Sequence, residues 1–391
     1  MHNINEIRSH FRSLFAYSRP LIYWDSASTG LKINLTTKLI DWFDLKLCAN
    51  PGRANYFSAE KVKAMIAEAR KNILNAFGTT SDSNCIFYKS VTEAINAICF
   101  SLNFFKGRIM GCPTDHNSIV GPMINSGRYV FLSLDEDHIP SVRNYLFLLN
   151  ENISTVILTH SSNVLGLVIP ANLYGYLCKA KVYLLDASQS VTYGMLDANK
   201  IDCSAIIFSA HKLCGITGVG AIVGKNELLS KMRPLLLGGG NVLNFSVSLG
   251  EIIFNDIPGK HEAGTQLIYG PSCLSVIMEW RKRFLSRRIN YRFRYLWNKI
   301  CRVKRIKLYN KYTPSTHLVS FIFDGLESAV VSSFLSKFLI CMRTGVMCAP
   351  LLVNKLGQTA ICRISIGIYN SFKDIDVILL TFAIVNNLVL S

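Results

Sequence analysis

The sequence predicts an α/β protein with a mainly parallel sheet between helices, together with a smaller α+β domain. Five apolar segments are typical of buried strands, and polar or glycine-containing turn residues follow each of them, as βα units require. Segments with helical spacing of their apolar residues accompany these strands. Beyond about Tyr269 the composition becomes basic and poor in strands, which indicates a change of domain.

The elements can be assigned in chain order. The candidate strands of the large sheet are residues 85–88, 108–111, 155–159, 181–185, 205–208 and 220–223. Residues 62–77 and 92–102 have the spacing of helices, and later strands are expected at 317–323 and 361–366. We place the large domain at residues 20–278, and the small domain at residues 1–19 together with 279–391.

The composition is that of a globular chain, because 50% of the 391 residues are hydrophobic and only 17% are charged. The longest apolar run, residues 377–390, is interrupted by Asn386 and Asn387, so we expect an amphipathic helix there and no membrane span. The first ten residues lack the apolar core of a signal peptide. We therefore expect a soluble, cytoplasmic protein without a membrane partner.

The twelve cysteines occur singly, without a CxxC pair or a Cys/His cluster at metal-ligand spacing. This pattern argues against a zinc site and against a disulfide framework, so no metal is expected. In a reducing compartment most of these cysteines would be small buried apolar residues. Any reactive cysteine must therefore be identified from its sequence context.

The net charge of +17 is concentrated between residues 281 and 307, where no acidic residue occurs. The cations of this basic segment are Arg281, Lys282, Arg283, Arg287, Arg288, Arg292, Arg294, Lys299, Arg302, Lys304, Arg305 and Lys307. An amphipathic helix with a solvated basic face is the favoured interpretation. Contact with a polyanion, such as nucleic acid or an acidic partner, is the alternative.

Lys212 directly follows the predicted strand at 205–208 and precedes a glycine-rich turn, in the sequence Ser-Ala-His-Lys-Leu-Cys-Gly. A ligand can approach the backbone closely at such a turn. A lysine that loses its proton in a buried position can form a Schiff base with a carbonyl compound. On its own, however, a lysine in this position is more often a solvated loop residue.

Polar residues follow several other predicted strands, and together they indicate a cofactor site. Asp186 ends one strand, where a carboxylate needs a cation such as a protonated pyridine nitrogen. Thr92 lies in the first turn of a helix, where free N–H groups favour a phosphate. Asn163 and His116 follow two further strands. Each residue alone could be a helix cap or a turn former, but their convergence on Lys212 favours a binding site.

The chain resembles the fold type I, class V aminotransferase group, which depends on pyridoxal 5'-phosphate, and within it the NifS/SufS-like cysteine desulfurases. The resemblance extends from residue 23 to residue 365. Its most specific motifs are Asp-Ala-Ser-Gln at 186–189, Ser-Ala-His-Lys at 209–212, Glu-Ala-Gly-Thr at 262–265 and Arg-Thr-Gly-Val-Met-Cys-Ala-Pro at 343–350. It implies a large α/β/α domain with a mainly parallel seven-stranded sheet and a small α+β domain.

The resemblance also implies individual roles around the cofactor ring. Lys212 would carry the cofactor as a Schiff base, and Asp186 would pair with the pyridinium nitrogen. His116 would stack on the ring. Asn163 and Gln189 would contact the phenolic oxygen.

Further implied roles concern the phosphate and the substrate. The residues that would hold the phosphate are Val91, Thr92, Ser209 and His211. Thr265 would reach the phosphate of a neighbouring subunit, which implies a homodimer with shared active sites. Arg363 would bind the carboxylate of L-cysteine.

Cys348 determines the expected reaction, because the resemblance makes it the nucleophile that accepts sulfur as a persulfide while the substrate becomes alanine. Lys212 and His116 would carry protons, and the sulfur would supply an iron–sulfur or thiolation pathway through an unknown acceptor. The chain departs from the family at Val346 and Met347, where histidines often precede the cysteine, and at Ile216, where proline is usual. Two alternatives remain: a selenocysteine lyase or another β-lyase, and a weakly active or inactive protein that binds nucleic acid or an acidic partner.

Overall fold

The computed structural model describes residues 3–52, 54–102, 107–178, 181–194, 196–284, 288–309 and 316–388. The helices in these ranges are α1 (Ile4–Ser9), α2 (Asn34–Lys46), α3 (Phe57–Ala76), α4 (Val91–Leu102), α5 (Asn117–Asn125), α6 (Val142–Leu149), α7 (Ala171–Cys178), α8 (Ala198–Ile201), α9 (Asn226–Lys231), α10 (Gly270–Phe284), α11 (Arg288–Ile300), α12 (Ser328–Ser336), α13 (Pro350–Lys355) and α14 (Phe372–Leu388).

The strands in the same ranges are β1 (Ile22–Tyr23), β2 (Ser83–Tyr88), β3 (Arg108–Gly111), β4 (Tyr129–Phe131), β5 (Ile153–Thr159), β6 (Val182–Asp186), β7 (Ala205–Ser209), β8 (Gly220–Lys225), β9 (Val242–Ser246), β10 (Glu251–Phe254), β11 (Ile306–Leu308), β12 (Leu318–Phe323), β13 (Ile340–Cys341), β14 (Arg343–Gly345) and β15 (Ile361–Ser365).

The large sheet has seven strands in the order β2-β8-β7-β6-β5-β3-β4. Strand β8 is antiparallel to both of its neighbours, and the remaining pairs are parallel. This confirms the predicted α/β class with a mainly parallel sheet. Strand β4 was not predicted, because its apolar run Tyr-Val-Phe is only three residues long and lies at the edge of the sheet.

The central strands are apolar because helices cover both faces of the sheet. Every residue of β7 is buried, and β6 is buried from Tyr183 onward. The parallel register aligns Thr159 with Asp186, and Asp186 with Ile207. The residues that follow β5, β6 and β7 therefore emerge side by side at one edge of the sheet.

A second sheet has the order β11-β12-β15-β14 and is antiparallel throughout. Its core contains Trp24, Phe321 and Phe382, with Phe382 contributed by α14. The predicted strands at 317–323 and 361–366 correspond closely to β12 and β15, and the predicted C-terminal helix corresponds to α14. No helix in the described ranges is long and apolar enough to cross a membrane.

Residues 3–25 contact both parts of the molecule. Ile7, Phe11 and Leu14 pack into the core of the large sheet. In contrast, β1 pairs with β13, and Trp24 packs into the small-domain core. The domain limits at residues 20 and 278 stay a prediction, and this packing favours the reverse assignment for the start of the chain.

The basic segment at 281–307 is not a uniformly solvated face. Residues 285–287, including Arg287, lie outside the described ranges, and α10 and α11 flank them. Arg281 and Arg292 are buried: Arg281 donates to Thr192 O, and Arg292 donates to Asn370 O and Ile368 O. The interpretation of the segment as a solvated face is therefore wrong for these two arginines, which hold loops together.

We expect Arg292→Met to destabilise the fold by about 2 kcal/mol, because it leaves buried carbonyl groups without their charged donor. Arg294 lies two residues further along the same helix and is exposed, so Arg294→Met should change stability by less than about 0.5 kcal/mol. Urea unfolding of the two variants measures this difference. Equal stabilities would show that the buried guanidinium of Arg292 contributes nothing to folding.

Candidate active site

A cavity of about 220 Å³ lies at the edge of the large sheet where β5, β6 and β7 end. Eleven of the predicted site residues line it: Val91, Thr92, His116, Asn163, Asp186, Gln189, Ser209, His211, Lys212, Cys348 and Arg363. Eight further residues line the cavity without a role predicted from the sequence: Ala27, Ser28, Ser90, Ser118, Thr159, Ser188, Arg343 and Met347. The structure thus brings together predicted site residues that are up to 272 positions apart, from Val91 to Arg363.

Lys212 is carried by the short 3-10 helix Ala210–Leu213, directly after β7. Two backbone hydrogen bonds hold this turn in place. Gly30 N donates to His211 O at 2.8 Å, and Gly215 N donates to Ala210 O at 3.0 Å. Burial lowers the pKa of the Lys212 amine, while nearby Asp186 opposes that shift. The lowered pKa increases the fraction of neutral amine, which is the nucleophilic form.

The N-terminus of α4 forms one end of the cavity. Ser90 Oγ accepts from Glu93 N at 3.1 Å, while Glu93 Oε2 accepts from Lys89 N at 2.6 Å, an arrangement similar to a capping box. The first N–H groups of the helix, at Val91 and Thr92, have no carbonyl partner within the helix and favour an anion. A side chain at Gly220 would collide with Ser90, since its Cβ would lie 2.5 Å from the Ser90 carbonyl carbon.

Two further donors at this end come from the Lys212 turn. Ser209 Oγ is buried and has no hydrogen-bond partner within the described protein. His211 has a pKa of about 4, because burial and the neighbouring charge of Lys212 oppose its protonation. A buried hydroxyl without a partner beside a helix N-terminus suits a phosphate oxygen.

Asp186 and His116 define the middle of the cavity. Asp186 is buried, and its Oδ1 accepts from Ser188 N at 2.9 Å. His116 precedes α5, and its Nδ1 accepts from Ser118 N at 3.1 Å. Burial and the charge of Lys212 lower the pKa of His116, which favours the neutral ring.

The two amide side chains each donate to a distant backbone carbonyl. Asn163 Nδ2 donates to Met347 O at 2.6 Å, and Gln189 Nε2 donates to Ala27 O at 2.7 Å. Asn163 Oδ1 is buried without a protein partner. Both amides therefore join chain segments together in addition to lining the cavity.

Arg363 belongs to a charged cluster that the sequence analysis did not anticipate. Its Nη1 donates to Asn163 O at 2.9 Å, and its Nη2 lies 3.2 Å from Asp25 Oδ1. Arg343 Nη1 lies 3.7 Å from the other oxygen of Asp25. Burial lowers the pKa of Arg363, and Asp25 opposes this shift. Arg343 opens the motif at 343–350, and Asp25 lies two residues after the start of the family resemblance at residue 23, which is the signal that could have identified them.

Cys348 lies at the mouth of the cavity and is exposed. It follows β14 and directly precedes the turn into α13. Its backbone has a positive φ of 53°, and its carbonyl accepts from Asn117 N at 2.8 Å. The cysteine is thus held beside His116, which immediately precedes Asn117.

Thr265 is the predicted site residue that does not line this cavity. It lines a separate cavity of about 430 Å³ and accepts a hydrogen bond from Asn50 Nδ2 at 3.0 Å. The preceding Glu262 is fixed by Arg70, with nitrogen–oxygen distances of 2.9 and 2.7 Å, and by Phe87 N at 2.8 Å. The role of Thr265 toward a neighbouring subunit stays a prediction.

Comparison with known proteins identifies the class to which this fold and site belong. Residues 22–378 match the model of the family described as Aminotransferase class-V, and the chain belongs to this family. Members of the family depend on pyridoxal 5'-phosphate.

The chain is also similar to individual cysteine desulfurases. A probable cysteine desulfurase of Pasteurella multocida is 29% identical, over 94% of this chain and 90% of that relative. The cysteine desulfurase of Wigglesworthia glossinidia brevipalpis is 28% identical, over 95% of each. The apo structure of a cysteine desulfurase from Thermococcus onnurineus NA1 has a TM-score of 0.91 at 22% identity, with 98% of both chains covered. The similarity to this solved structure shows that the two chains share the same fold.

The residues of the cavity fit pyridoxal 5'-phosphate. The partnerless Ser209 Oγ and the helix N-terminus at Val91 match a phosphate, and buried Asp186 matches a protonated ring nitrogen. Lys212 provides the amine for a Schiff base. One cavity therefore combines groups that favour an anion with a carboxylate that favours a cation, as a molecule with a phosphate and a protonated ring nitrogen requires.

Proposed function

We propose that this protein is a pyridoxal-phosphate-dependent cysteine desulfurase that converts L-cysteine to L-alanine and keeps the sulfur as a persulfide on Cys348. The single observation that supports this most strongly is the location of exposed Cys348 at the mouth of the cavity that Lys212 and Arg363 line. The similarity to named cysteine desulfurases over more than nine tenths of the chain supports the same proposal.

The charges of the cavity suit a small amino acid. Arg363 would bind the substrate carboxylate through its planar, permanently charged guanidinium, with Asp25 holding that guanidinium in place. Bound pyridoxal phosphate supplies a covalent attachment for the substrate amine and an electron sink for the carbon framework. Lys212, with its lowered pKa, would accept and return the proton at the substrate's α-carbon.

Sulfur transfer requires a nucleophile outside the cofactor. The Cys348 thiolate would attack the substrate sulfur, so that a sulfur–sulfur bond forms while the carbon–sulfur bond breaks. The electron pair of the broken bond remains on the substrate carbon, which takes up a proton to become the methyl group of alanine. His116 and Lys212 are the groups that would deliver this proton.

The proposal is tested by incubating the purified holoenzyme with L-cysteine and a reducing agent. Alanine and sulfide should appear in equal amounts, and without reductant one persulfide sulfur per chain should be found on the peptide that contains Cys348. Pyruvate and ammonia in place of alanine would contradict the proposal and support a β-lyase. A much higher rate with L-selenocysteine, without persulfide on Cys348, would support a selenocysteine lyase.

We further infer a homodimer of the SufS-like kind, because the hairpin β9–β10 has an unusually apolar surface. Phe245 is 61% and Val247 90% exposed, and Leu243 and Leu249 are exposed beside them. A two-stranded hairpin is marginally stable alone in water, and an exposed apolar patch indicates an interface. A second copy of this chain is the proposed occupant, because the hairpin lies just before the segment that carries Thr265, and Gly264 N donates to Gly239 O at 2.6 Å.

We expect the double variant Phe245→Asp/Leu249→Asp to be a monomer, because two carboxylates would have to lose their hydration in the interface. Size-exclusion chromatography with light scattering gives the mass directly. Phe147→Asp is the matched control, since Phe147 is similarly exposed on α6, far along the chain from the hairpin. A wild-type mass for the double variant would show that this hairpin is not the dimer interface.

The polyanion alternative now concerns only the exposed cations of the basic segment. Among the described side chains these are Lys282 and Arg283 on α10, Arg294 and Lys299 on α11, and Arg302, Lys304 and Lys307 after α11. We interpret them as solvated side chains, so RNA should not be retained at physiological salt.

The twelve free cysteines support a reducing compartment, and we propose the cytoplasm.

A further inference from the structure

The turn at residues 345–349 has an uncommon backbone. Gly345, Met347 and Cys348 have φ angles of 114°, 54° and 53°. Glycine adopts such angles without strain, whereas a methionine and a cysteine in succession adopt them only where surrounding contacts impose them. The conformation that presents Cys348 at the cavity is therefore held by groups outside the turn.

The side chain of Met347 provides one of these contacts. It is 6% exposed and lies in an apolar cluster with Val164 and Leu165, which follow β5, and with Leu352 and Val353 of α13. Its two neighbours in the chain are directed outward, since Val346 is 38% exposed and Cys348 is exposed. Met347 is thus the larger of the two side chains of the turn that are buried between the two domains, the other being Ala349 at 1% exposure.

Hydrogen bonds to backbone carbonyl groups of the turn provide the other contacts. Asn163 Nδ2 donates to Met347 O at 2.6 Å, and Asn117 N donates to Cys348 O at 2.8 Å. Both donors belong to segments that also line the cavity, beside His116 and Arg363. The position of the Cys348 thiol is consequently coupled to the same groups that would bind cofactor and substrate.

We propose that Met347 is a positioning residue that fixes Cys348 over the cavity by burying its side chain between the two domains. The inference rests on the proposed function and deepens it. The apolar side chain of Met347 can be buried here without losing hydrogen bonds to water. A polar side chain at the same place would have no hydrogen-bond partner among the side chains of Val164, Leu165 and Leu352. Without the buried Met347 side chain, the strained turn should relax, and the Cys348 thiol should move away from the substrate sulfur.

The test compares Met347→Ser with Met347→Leu, which keeps an apolar side chain of similar volume. In the holoenzyme, Met347→Ser should lower kcat for L-cysteine about tenfold or more and leave KM within about twofold, because misplacement of a reacting group affects the chemical step. Met347→Leu should retain most of the wild-type kcat. Val346→Ser, which alters the exposed neighbour, should behave as wild type.

Hydrogen exchange supplies a readout that does not depend on activity. The amides of Asn117 and Ala349 should exchange about tenfold faster in Met347→Ser than in wild type and Met347→Leu, because their hydrogen bonds to Cys348 O and Val346 O would be broken more often. Unchanged exchange, or faster exchange with unchanged kcat, would overturn the proposal. If wild type itself has no desulfurase activity, the proposed function fails, while the exchange rates still decide whether Met347 holds the turn. Should Met347→Ser not fold, Met347→Ala provides the same comparison.

Discussion

Lys212→Ala is expected to lose the covalently held cofactor and to lower the rate of alanine formation by about 10³-fold or more. Lys212 lies at the end of β7, and its amine is buried beside Asp186. No other lysine lines the same cavity in the described part of the chain. Borohydride reduction followed by mass spectrometry should therefore attach pyridoxal phosphate to Lys212 in the wild type and to no residue in the variant.

The matched control is Lys225→Ala. Lys225 ends the neighbouring strand β8, but because β8 is antiparallel to β7 it lies at the opposite edge of the sheet, where it pairs with Asp202 at 3.1 Å. This control should retain the adduct and the activity. Trapped cofactor on a lysine other than Lys212 would show that the site has been assigned to the wrong residue.

Cys348→Ser should abolish persulfide formation and lower sulfide release from L-cysteine by about 10³-fold or more, since a serine hydroxyl is a poor nucleophile toward sulfur. The fold and the bound cofactor should be almost unaffected, with stability within about 0.5 kcal/mol, because the side chain is exposed and fills no core. Persulfide mass spectrometry, the visible spectrum and urea unfolding measure these three properties.

Cys301→Ser is the matched control, because Cys301 is also exposed but lies outside the residues that line the cavity. It should form persulfide and alanine as the wild type does. If Cys348→Ser kept the full rate of sulfide release, the chemistry would proceed without an enzyme nucleophile. The protein would then be a β-lyase.

Much of the large sheet could be predicted from the sequence, because its buried strands form unbroken apolar runs that end in polar turns. β5, β6 and β7 were predicted to within two residues at each end. Short or half-buried elements were not predicted: β4 has three residues, and β9 and β10 are exposed. Their sequences carry little periodicity, and only pairing with a neighbour makes them strands.

The assignment of the basic segment failed for a related reason. Charge alone predicts exposure, yet Arg281 and Arg292 are buried because each reaches backbone carbonyl groups of another segment. The network of Asp25 with Arg363 and Arg343 was missed because ion pairing depends on distance in space, and residue 25 is far from both arginines along the chain.

The sequence by itself determined the class of the fold and the identity of the chemical groups: an amine at Lys212, a carboxylate at Asp186, a thiol at Cys348. Chemical type is a property of a residue, and residues at strand ends must meet when strands are parallel. Only the tertiary structure decided how those groups are held. Asn163 donates to the carbonyl group of Met347, and Met347 lies between the two domains. The two residues are 184 positions apart in the chain, so no local sequence pattern predicts this contact.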